Sequence, residues 1–322
     1  MIIRRNLLLA LGAASLLAQP ALAQTWPSQP IKVIVPFPAG GASDQIGRIV
    51  AKAIGDELKA TVVVENRAGA NGSLGATAAA RAPADGHTLL VASIGVFAIN
   101  AGLYKSLAYD PVKDFAPISL LVSTPNVLVV PANSPFKTGK DLVTFLKKNP
   151  GKLSYASAGA GSSDHLTGEL FKKMTGTYAV HIPYRGGAPA MHDTIAGQAD
   201  FMFSNLGPAA PFIAAGKMRA LMLTAAKPAP LLPDVPTAAS TGVPLEVTSW
   251  QAFAAPAGTP ANIVQRLNQI AVKAMNAPEV RERMATQGFE VVANSPAQFG
   301  DFMKAEVARW KTAVKESGAA LD

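Results

Sequence analysis

The chain has no cysteine, few charged residues and few aromatic ones. Of its 322 residues none is cysteine, 16% are charged and 7% are aromatic. Without cysteine there is no disulfide, no thiolate metal ligand and no cysteine-linked lipid anchor. A body of about 300 residues without disulfides depends on its hydrophobic core. The apolar content of 49% supplies that core and argues against disorder.

Signals for several other classes of protein are also missing. After the N-terminus, the longest apolar run, around Leu89 to Ile99, is interrupted by Ser93 and is too short to cross a membrane. The basic residues are scattered and not interleaved with aromatics, so nucleic-acid binding is not supported. The sequence contains neither an HExxH motif nor a close histidine pair, so it does not predict a metal site. Its four histidines are widely spaced: His87, His165, His181 and His192.

The first residues have the pattern of a secretory signal peptide. Arg4 and Arg5 precede the apolar stretch Leu7 to Ala18, and Ala21-Leu22-Ala23 fits a small-residue cleavage site. We therefore expect residues 1–23 to be removed after Ala23 on export, with an uncleaved anchor as the alternative. The remaining chain has 27 basic against 21 acidic residues, a balance of +6 that weakly favours an anionic solute.

Short strand patterns alternate with helical ones along the rest of the chain. IKVIVP and TVVVEN are typical of strands, and PISLLVS and NVLVVP predict two strands on either side of Thr124-Pro125. SSDHLTGELFKKMTG predicts a helix that turns Leu166, Leu170 and Met174 inward. The alternation predicts an α/β fold with mainly parallel sheets.

Two glycine-containing loops occupy equivalent places in the pattern. KVIVPFPAGGASDQ and KLSYASAGAGSSDH, about 120 residues apart, each read as strand, loop and helix, which suggests two lobes. A helix N-terminus has unpaired N–H groups and partial positive charge, and glycine gives a ligand oxygen access to them. Each loop alone is also compatible with an ordinary turn. The candidate anion-binding residues are Phe37, Pro38, Ala39, Gly40, Gly41, Ala42, Ser43 and Asp44 in the first loop, and Ala158, Gly159, Ala160, Gly161, Ser162 and Ser163 in the second, with His165 just beyond it.

Catalytic and nucleotide motifs fail on inspection. Gly159-Ala160-Gly161 has no third glycine at dinucleotide spacing, and no Walker motif occurs. Ser163-Asp164-His165 contains the three triad residue types, but neighbours on a helix point in different directions. Asn71 stands where a GxSxG elbow needs glycine, and the SxxK and KTG matches share Lys137. The sequence therefore predicts no catalytic residue and no cofactor.

A few large side chains near loops remain ambiguous. Arg67 and Arg185 each follow a strand and precede glycines, so either a second carboxylate or a surface ion pair would suit them. Four aromatic residues fit either a ligand cleft or the core: Phe37, Tyr184, Phe203 and Trp250.

Several blocks together resemble a known family. VPFPAGGASD, ENRAGANGSLGA, ADGHTLL, YASAGAGSSDHLTGELF, HIPYRGGAPAMHDTIAGQADFMF, LPDVPTAAS and FAAPAGTP occur in this order from about Trp26 onward. They resemble the Bug family, the extracytoplasmic solute receptors of tripartite tricarboxylate transporters. The resemblance implies a monomeric periplasmic receptor with no cofactor and no catalysis. It would close on a small organic carboxylate and deliver it to membrane transporter subunits.

The resemblance also implies an architecture and a site. The fold is expected to be two-lobed and of the type II periplasmic binding protein kind, with the ligand cleft between the lobes. Residues 24–123 and 253–322 would form lobe 1 and residues 124–252 lobe 2, with hinges near 123–126 and 249–253. The two glycine loops would bind the ligand through main-chain N–H groups and hydroxyls, and outer cleft positions would include Arg67–Ser73, Ser93, Arg185–Gly187, Ser204 and Asn205.

Two alternatives stay open from the residues. A receptor that signals through a sensor partner would use the same closed lobes, and an exported α/β hydrolase would lack its usual nucleophile elbow here. Main-chain contacts identify a carboxylate but not the rest of the molecule, so the sequence does not specify which acid is bound.

Overall fold

The computed structural model describes residues 26–319, so the predicted signal peptide and its cleavage site lie outside the described residues. The fold is α/β, as the sequence predicts, and its sheet is curled across two lobes. Its ten strands are β1 (Ile31–Val35), β2 (Val62–Asn66), β3 (Thr88–Ser93), β4 (Phe115–Pro131), β5 (Ser154–Ser157), β6 (Val180–Pro183), β7 (Phe201–Asn205), β8 (Met218–Leu223), β9 (Thr248–Pro256) and β10 (Glu290–Val291).

Helices cover both faces of the sheet. They are α1 (Ala42–Leu58), α2 (Ser73–Ala80), α3 (Asn100–Leu103), α4 (Gly139–Lys148), α5 (Ser163–Thr175), α6 (Gly187–Ile195), α7 (Leu206–Ala214), α8 (Ala261–Met275), α9 (Pro278–Thr286) and α10 (Pro296–Ser317). Short 3₁₀ turns occur at Ala70–Gly72 and Ala239–Thr241, and a π turn at Gly95–Ile99. No described helix combines the length and the apolar character that a membrane span requires.

The strand order is β2-β1-β3-β9-β4-β7-β5-β6, with β8 and β10 also paired to β4. β1 is parallel to β2 and β3, and β5 is parallel to β6 and β7. All described pairings of β4 and β9 are antiparallel. The prediction of mainly parallel sheets is therefore right for the outer strands and wrong for the centre, where β4 and β9 run antiparallel to each other and to their other neighbours.

β4 is one strand of 17 residues that changes its pairing partners along its length. Phe115 to Pro125 pair with β9, whereas Asn126 to Pro131 pair with β7 and β8. The sequence predicts two strands here because Thr124-Pro125 reads as an interruption. A proline has no N–H to donate, and Pro125 lies where β4 changes partners, so the strand tolerates it. The lobe boundaries and the hinge motion themselves stay a prediction.

Amphipathic helices bury their apolar faces on the sheet. Ile46, Val50 and Ile54 of α1 are fully buried against lobe 1, as their spacing predicts. Trp250 on β9 is fully buried and stacks on Phe97 in the core. Each such aromatic side chain buries about 150–250 Å².

Helix α5 differs in one respect from its predicted orientation. Leu166 and Leu170 are buried, but Met174 is 45% exposed, so the prediction that it faces inward is wrong. The helix ends one residue later, at Thr175, and Gly176 adopts the left-handed conformation at its C-cap with φ 62°. Met174 therefore lies on the apolar face of the last helical turn but beyond the edge of the hydrophobic core.

Candidate functional site

The first glycine loop is held by the buried carboxylate of Asp44. Its Oδ2 accepts from the Gly40 N–H at 2.9 Å and pairs with Arg48 Nε at 2.9 Å, and its Oδ1 accepts from Asn66 Nδ2 at 2.9 Å. Asn66 also donates to the carbonyl of Phe37. Burial opposes ionisation of Asp44, but the hydrogen bonds from Arg48, Gly40 and Asn66 hold its pKa below the usual value.

The start of α1 keeps free backbone donors beside that carboxylate. Gly41 is an extended N-cap with no side-chain cap. Within residues 26–319, no acceptor pairs with the N–H groups of Gly41, Ala42 and Ser43. The Ser43 hydroxyl donates to Oε1 of Gln251 at 2.6 Å, and Gln251 lies opposite Ser93 in the β3–β9 ladder. Ser43 and Ser93 are thus both neighbours of Gln251 on the central strand β9.

The second glycine loop is built largely by its own hydrogen bonds. Oδ2 of Asp164 accepts from the Ala158 N–H at 2.6 Å, and burial raises the pKa of this carboxyl while that hydrogen bond opposes the rise. The Gly161 N–H donates to Nδ1 of His165 at 3.1 Å. Two further N–H groups also donate inside the loop: that of Gly159 to Ser157 Oγ, and that of Ser162 to the Gly159 carbonyl, which the Ser162 hydroxyl bonds as well.

This internal bonding restricts which amides of the second loop face a ligand. In the described part of the chain, the N–H groups of Ala160 and Ser163 have no protein acceptor. Ala160 is exposed, whereas His165 is 6% exposed. The loop therefore offers two free donors, and the other predicted amides hold its shape.

The turn Ala70–Gly72 brings the two loops together. A Cβ on Gly72 would lie 3.0 Å from Cζ of Phe37 in the first loop. The neighbouring Asn71 donates through Nδ2 to the carbonyl of Gly161 at 3.1 Å and to Oδ1 of Asn100 at 2.9 Å. Asn71 has φ 49°, a left-handed conformation that asparagine tolerates better than most residues. Both glycine loops thus contact one short turn of lobe 1.

Where lobe 2 meets the central strands, a polar cluster joins them. Asn205 Nδ2 donates to Oδ1 of Asn126 and also lies 3.3 Å from the Ser163 hydroxyl. Asn126, fully buried on β4, donates in turn to Thr167 at 2.7 Å. Ser204, in contrast, is 4% exposed and its hydroxyl donates to the adjacent Asn205 carbonyl. Asn205 and Ser163 are therefore close together, while their place in a ligand cleft stays a prediction.

The ambiguous large residues separate into core and surface. Phe203 and Trp250 are fully buried and belong to the core, while Phe37 is only partly buried. Arg67 pairs with Glu65 at 3.2 Å on the surface. Arg185 is exposed and follows Tyr184, whose N–H bonds the Ser157 carbonyl beside the second loop; the flanking Gly186 N–H bonds Ala158.

Several residues of this region were not singled out from the sequence. Leu103 on α3 lies against Gly161 in the second loop. Gln251 and Asn126 come from central strands whose pattern shows only apolar alternation. The one signal available was Asn71-Gly72, a pair typical of left-handed turns. Among residues 26–319, no group of three or more potential ligands is placed to hold a metal ion.

Comparisons with known proteins show to which family the chain is similar. Residues 46–319 match the family model described as the tripartite tricarboxylate transporter family receptor. The chain is 40% identical over 293 residues to a protein encoded in the tcbD-tcbE intergenic region of Pseudomonas sp. (strain P51), covering 90% of this chain and 87% of that one. It is 37% identical over 307 residues to protein BugT of Bordetella pertussis, covering 95% and 94%.

Solved structures are similar over nearly the whole chain. One described as a periplasmic transporter has a TM-score of 0.84 and 41% identity, covering 92% of this chain and 100% of that one. Rpa4515 of R. palustris, solved with adipate, has a TM-score of 0.83 and 34% identity, covering 91% and 98%. MatC of Rhodopseudomonas palustris, solved with malate, has a TM-score of 0.81 and 32% identity, covering 90% and 100%.

The predicted family resemblance is thereby confirmed, and so is the prediction that the chain is no enzyme. The chain belongs to the tripartite tricarboxylate transporter receptor family, as a two-lobed periplasmic solute-binding receptor.

Proposed function

We propose that this receptor captures a small organic carboxylate between its lobes and delivers it to the membrane subunits of a tripartite transporter. The observation that carries the proposal is the turn Ala70–Gly72, which contacts both glycine loops at once through Phe37 and Gly161. A solute held by both loops would therefore bridge the lobes. The membrane subunits would recognise the closed form.

The free amides decide how the carboxylate binds. The N–H groups of Gly41, Ala42 and Ser43 begin a helix of 17 residues, and Ala160 and Ser163 supply donors at the start of α5. Unpaired N–H groups at a helix start carry partial positive charge and favour an anion. The carboxylate is thus neutralised without a buried cationic side chain.

The other predicted site residues receive supporting roles in this proposal. Gly40 and Asp44 shape the first loop, while Ala158, Gly159, Gly161 and Ser162 shape the second through their internal bonds. Pro38 and Ala39 are exposed at the tip of the first loop, where they would contact the bound acid, and Ser93 and Asn205 lie nearer the central strands.

A panel of organic acids tests the proposal. Adipate and malate, which the similar structures hold, are compared with other dicarboxylates, with monocarboxylates and with neutral amides by thermal shift and calorimetry. At a concentration one hundred times the Kd, a bound acid stabilises the folded state by about 2.7 kcal/mol. We expect a shift of about 5 °C for at least one acid. No shift with any member of the panel would contradict the proposal.

Arg185 is expected to bind the far carboxylate of a dicarboxylic acid. It is exposed next to the second loop, and within residues 26–319 its guanidinium has no ion-pair partner. Arg185→Gln should weaken adipate binding about 5- to 10-fold and leave hexanoate binding unchanged, because one charge-assisted hydrogen bond is lost. Arg67→Gln, which removes an arginine already paired with Glu65, is the matched control. If the ratio of adipate to hexanoate affinity is the same in Arg185→Gln and the wild type, the far carboxylate is bound by another residue.

Asn71 is expected to hold the closed form. Asn71→Gly removes the hydrogen bond to Gly161 while still allowing the left-handed backbone, so the affinity for the panel acid should fall about 2- to 10-fold. Lys59→Gly is the control, since Lys59 has φ 53° but is exposed at the end of α1. Calorimetry on both variants checks this, and equal affinities would show that the contact does not favour closure.

A further inference from the structure

Two histidines stack beneath the second glycine loop. The ring of His165, from the first turn of α5, lies 4.0 Å from that of His181 on β6, with an interplanar angle of 17°. Tyr155 on β5 stacks on the other side of His181 with a centroid distance of 4.8 Å. Neither histidine was recognised as part of a pair in the sequence, since 16 positions separate them.

Each ring is linked to one of the loop's left-handed glycines. His165 Nδ1 accepts from the N–H of Gly161, which has φ 80°. His181 Nε2 lies 2.7 Å from the Ser157 hydroxyl, which accepts from the N–H of Gly159 at 3.2 Å, and Gly159 has φ 132°. The pair therefore supports both backbone positions where this loop turns.

The bond from Gly161 fixes the protonation state of His165. An N–H donor needs an acceptor, so Nδ1 carries no proton and a neutral ring carries its proton on Nε2. A protonated imidazole has donors on both nitrogens. The added proton would face the Gly161 N–H, and the loop would have to move away.

The charged side chains near the two histidine rings are paired with partners of their own. On α5, Glu169 Oε1 lies 3.9 Å from His165 Nε2, but it pairs with Lys172 Nζ at 2.7 Å and accepts from the Tyr155 hydroxyl. Asp164 is bound to the Ala158 N–H. From α10, which packs against α5, Glu316 pairs with Lys173.

Burial favours the neutral form of both rings. It lowers the pKa of His165 below its usual value, although Glu169 opposes this. Burial, with the neighbouring His165 and Lys172, lowers the pKa of His181 to about 3. At neutral pH both rings are therefore uncharged, which the stacked geometry requires.

We propose that His165 and His181 are a positioning pair that holds the second loop in its binding conformation while both rings are neutral, and that protonation of His165 frees Gly161 and releases the bound carboxylate. The release step rests on the proposed function, whereas the positioning step does not. His165 acts through Gly161 and is not itself a ligand contact.

The positioning step is tested without ligand. Nuclear magnetic resonance of the imidazole nitrogens at pH 8 should show His165 with its proton on Nε2 and none on Nδ1. As the pH is lowered towards 4, the Gly161 amide signal should shift with the same midpoint as the His165 ring, while that of Gly176 should not. A proton on Nδ1 at pH 8, or a Gly161 signal indifferent to the ring's titration, would overturn the proposal.

Variants separate positioning from simple packing. In His165→Asn the side-chain Oδ1 replaces Nδ1 as an acceptor that does not titrate, so the pH-dependent shift of Gly161 should disappear while the loop keeps its shape. His165→Phe keeps the stacking but has no acceptor, and should expose the Gly161 amide to exchange at least ten-fold faster. His192→Phe, at an exposed histidine on α6, is the control and should change neither. Equal Gly161 exchange in His165→Phe and the wild type would contradict the positioning role.

The release step is tested with adipate and malate as probes. Because both acids protonate in the same pH range, each affinity is calculated for the fully ionised acid. On that basis the wild-type affinity should fall up to about ten-fold per pH unit below the pKa of His165, and the His165→Asn affinity should stay flat. If neither acid binds at pH 8, the proposed function fails for these ligands and the release step is withdrawn, while the resonance results still decide the positioning step. Parallel pH profiles in both proteins would overturn release by His165.

Discussion

Gly161→Ala is expected to weaken binding of the panel acid about 10- to 100-fold. A Cβ at this position would overlap the side chain of Leu103 on α3. Overpacking of this kind costs about 1–3 kcal/mol. We expect the lobes to separate without ligand and so to remove this overlap, which would place its cost on the ligand-bound form. Calorimetry with the panel acid measures the affinity, and urea unfolding measures the free energy of unfolding.

A second glycine separates this overlap from backbone strain. Gly176 has φ 62°, close to the φ of 80° at Gly161, but an added Cβ would meet no atom within 4 Å. Gly176→Ala should therefore lower the free energy of unfolding by about 1–2 kcal/mol and leave the affinity unchanged. In the double variant Gly161→Ala with Leu103→Ala, binding should largely recover. Wild-type affinity in Gly161→Ala alone would show that the contact between Leu103 and Gly161 is not part of the binding form.

Asp44→Ala is expected to lower the free energy of unfolding by about 2–4 kcal/mol, because three donors lose their acceptor. Two of these donors, Gly40 and Asn66, shape the first loop, so ligand affinity should fall as well. Asp44 is 3% exposed, and water replaces the lost bonds poorly there. Urea unfolding and calorimetry with the panel acid measure the two effects.

The matched control lies about three turns along the same helix. Asp56 pairs with Lys52 at 2.6 Å, but its side chain is 67% exposed, so Asp56→Ala should change the free energy of unfolding by no more than about 0.5 kcal/mol.

The pH dependence of stability provides a second check on Asp44. The pKa of Asp44 is lowered on folding, so its contribution is complete above about pH 4 and is lost as the pH falls through the lower native value. At low pH the wild type and Asp44→Ala should therefore have similar free energies of unfolding. Similar effects of Asp44→Ala and Asp56→Ala at pH 7 would contradict a structural role for Asp44.

Local patterns predicted most of the secondary structure. The spacing of Ile46, Val50 and Ile54 identified α1 and its buried face, because an amphipathic helix repeats every 3.6 residues. The errors occurred where non-local packing decides. Pro125 reads as a break but is tolerated where β4 changes partners, and Met174 follows the helical pattern yet extends past the core.

The candidate site was predictable in part. The two glycine loops were visible because glycine, serine and a following helix are consecutive in the chain. The internal acceptors were not visible: Asp44 reaches back four residues to Gly40, and His165 reaches back four residues to Gly161. Whether a backbone N–H faces a ligand or a side chain depends on rotamers and loop geometry, which composition does not reveal.

The sequence alone determined the α/β class, the family and the two places where helix starts are left open by glycine, because these depend on local periodicity and on consecutive residues. Only the tertiary structure decided which amides remain free, that Asn71 and Leu103 contact Gly161, and that His165 stacks on His181. These contacts join residues from 16 to 90 positions apart. Their geometry is set by the packing of both lobes around β4 and β9, and no local pattern carries that information.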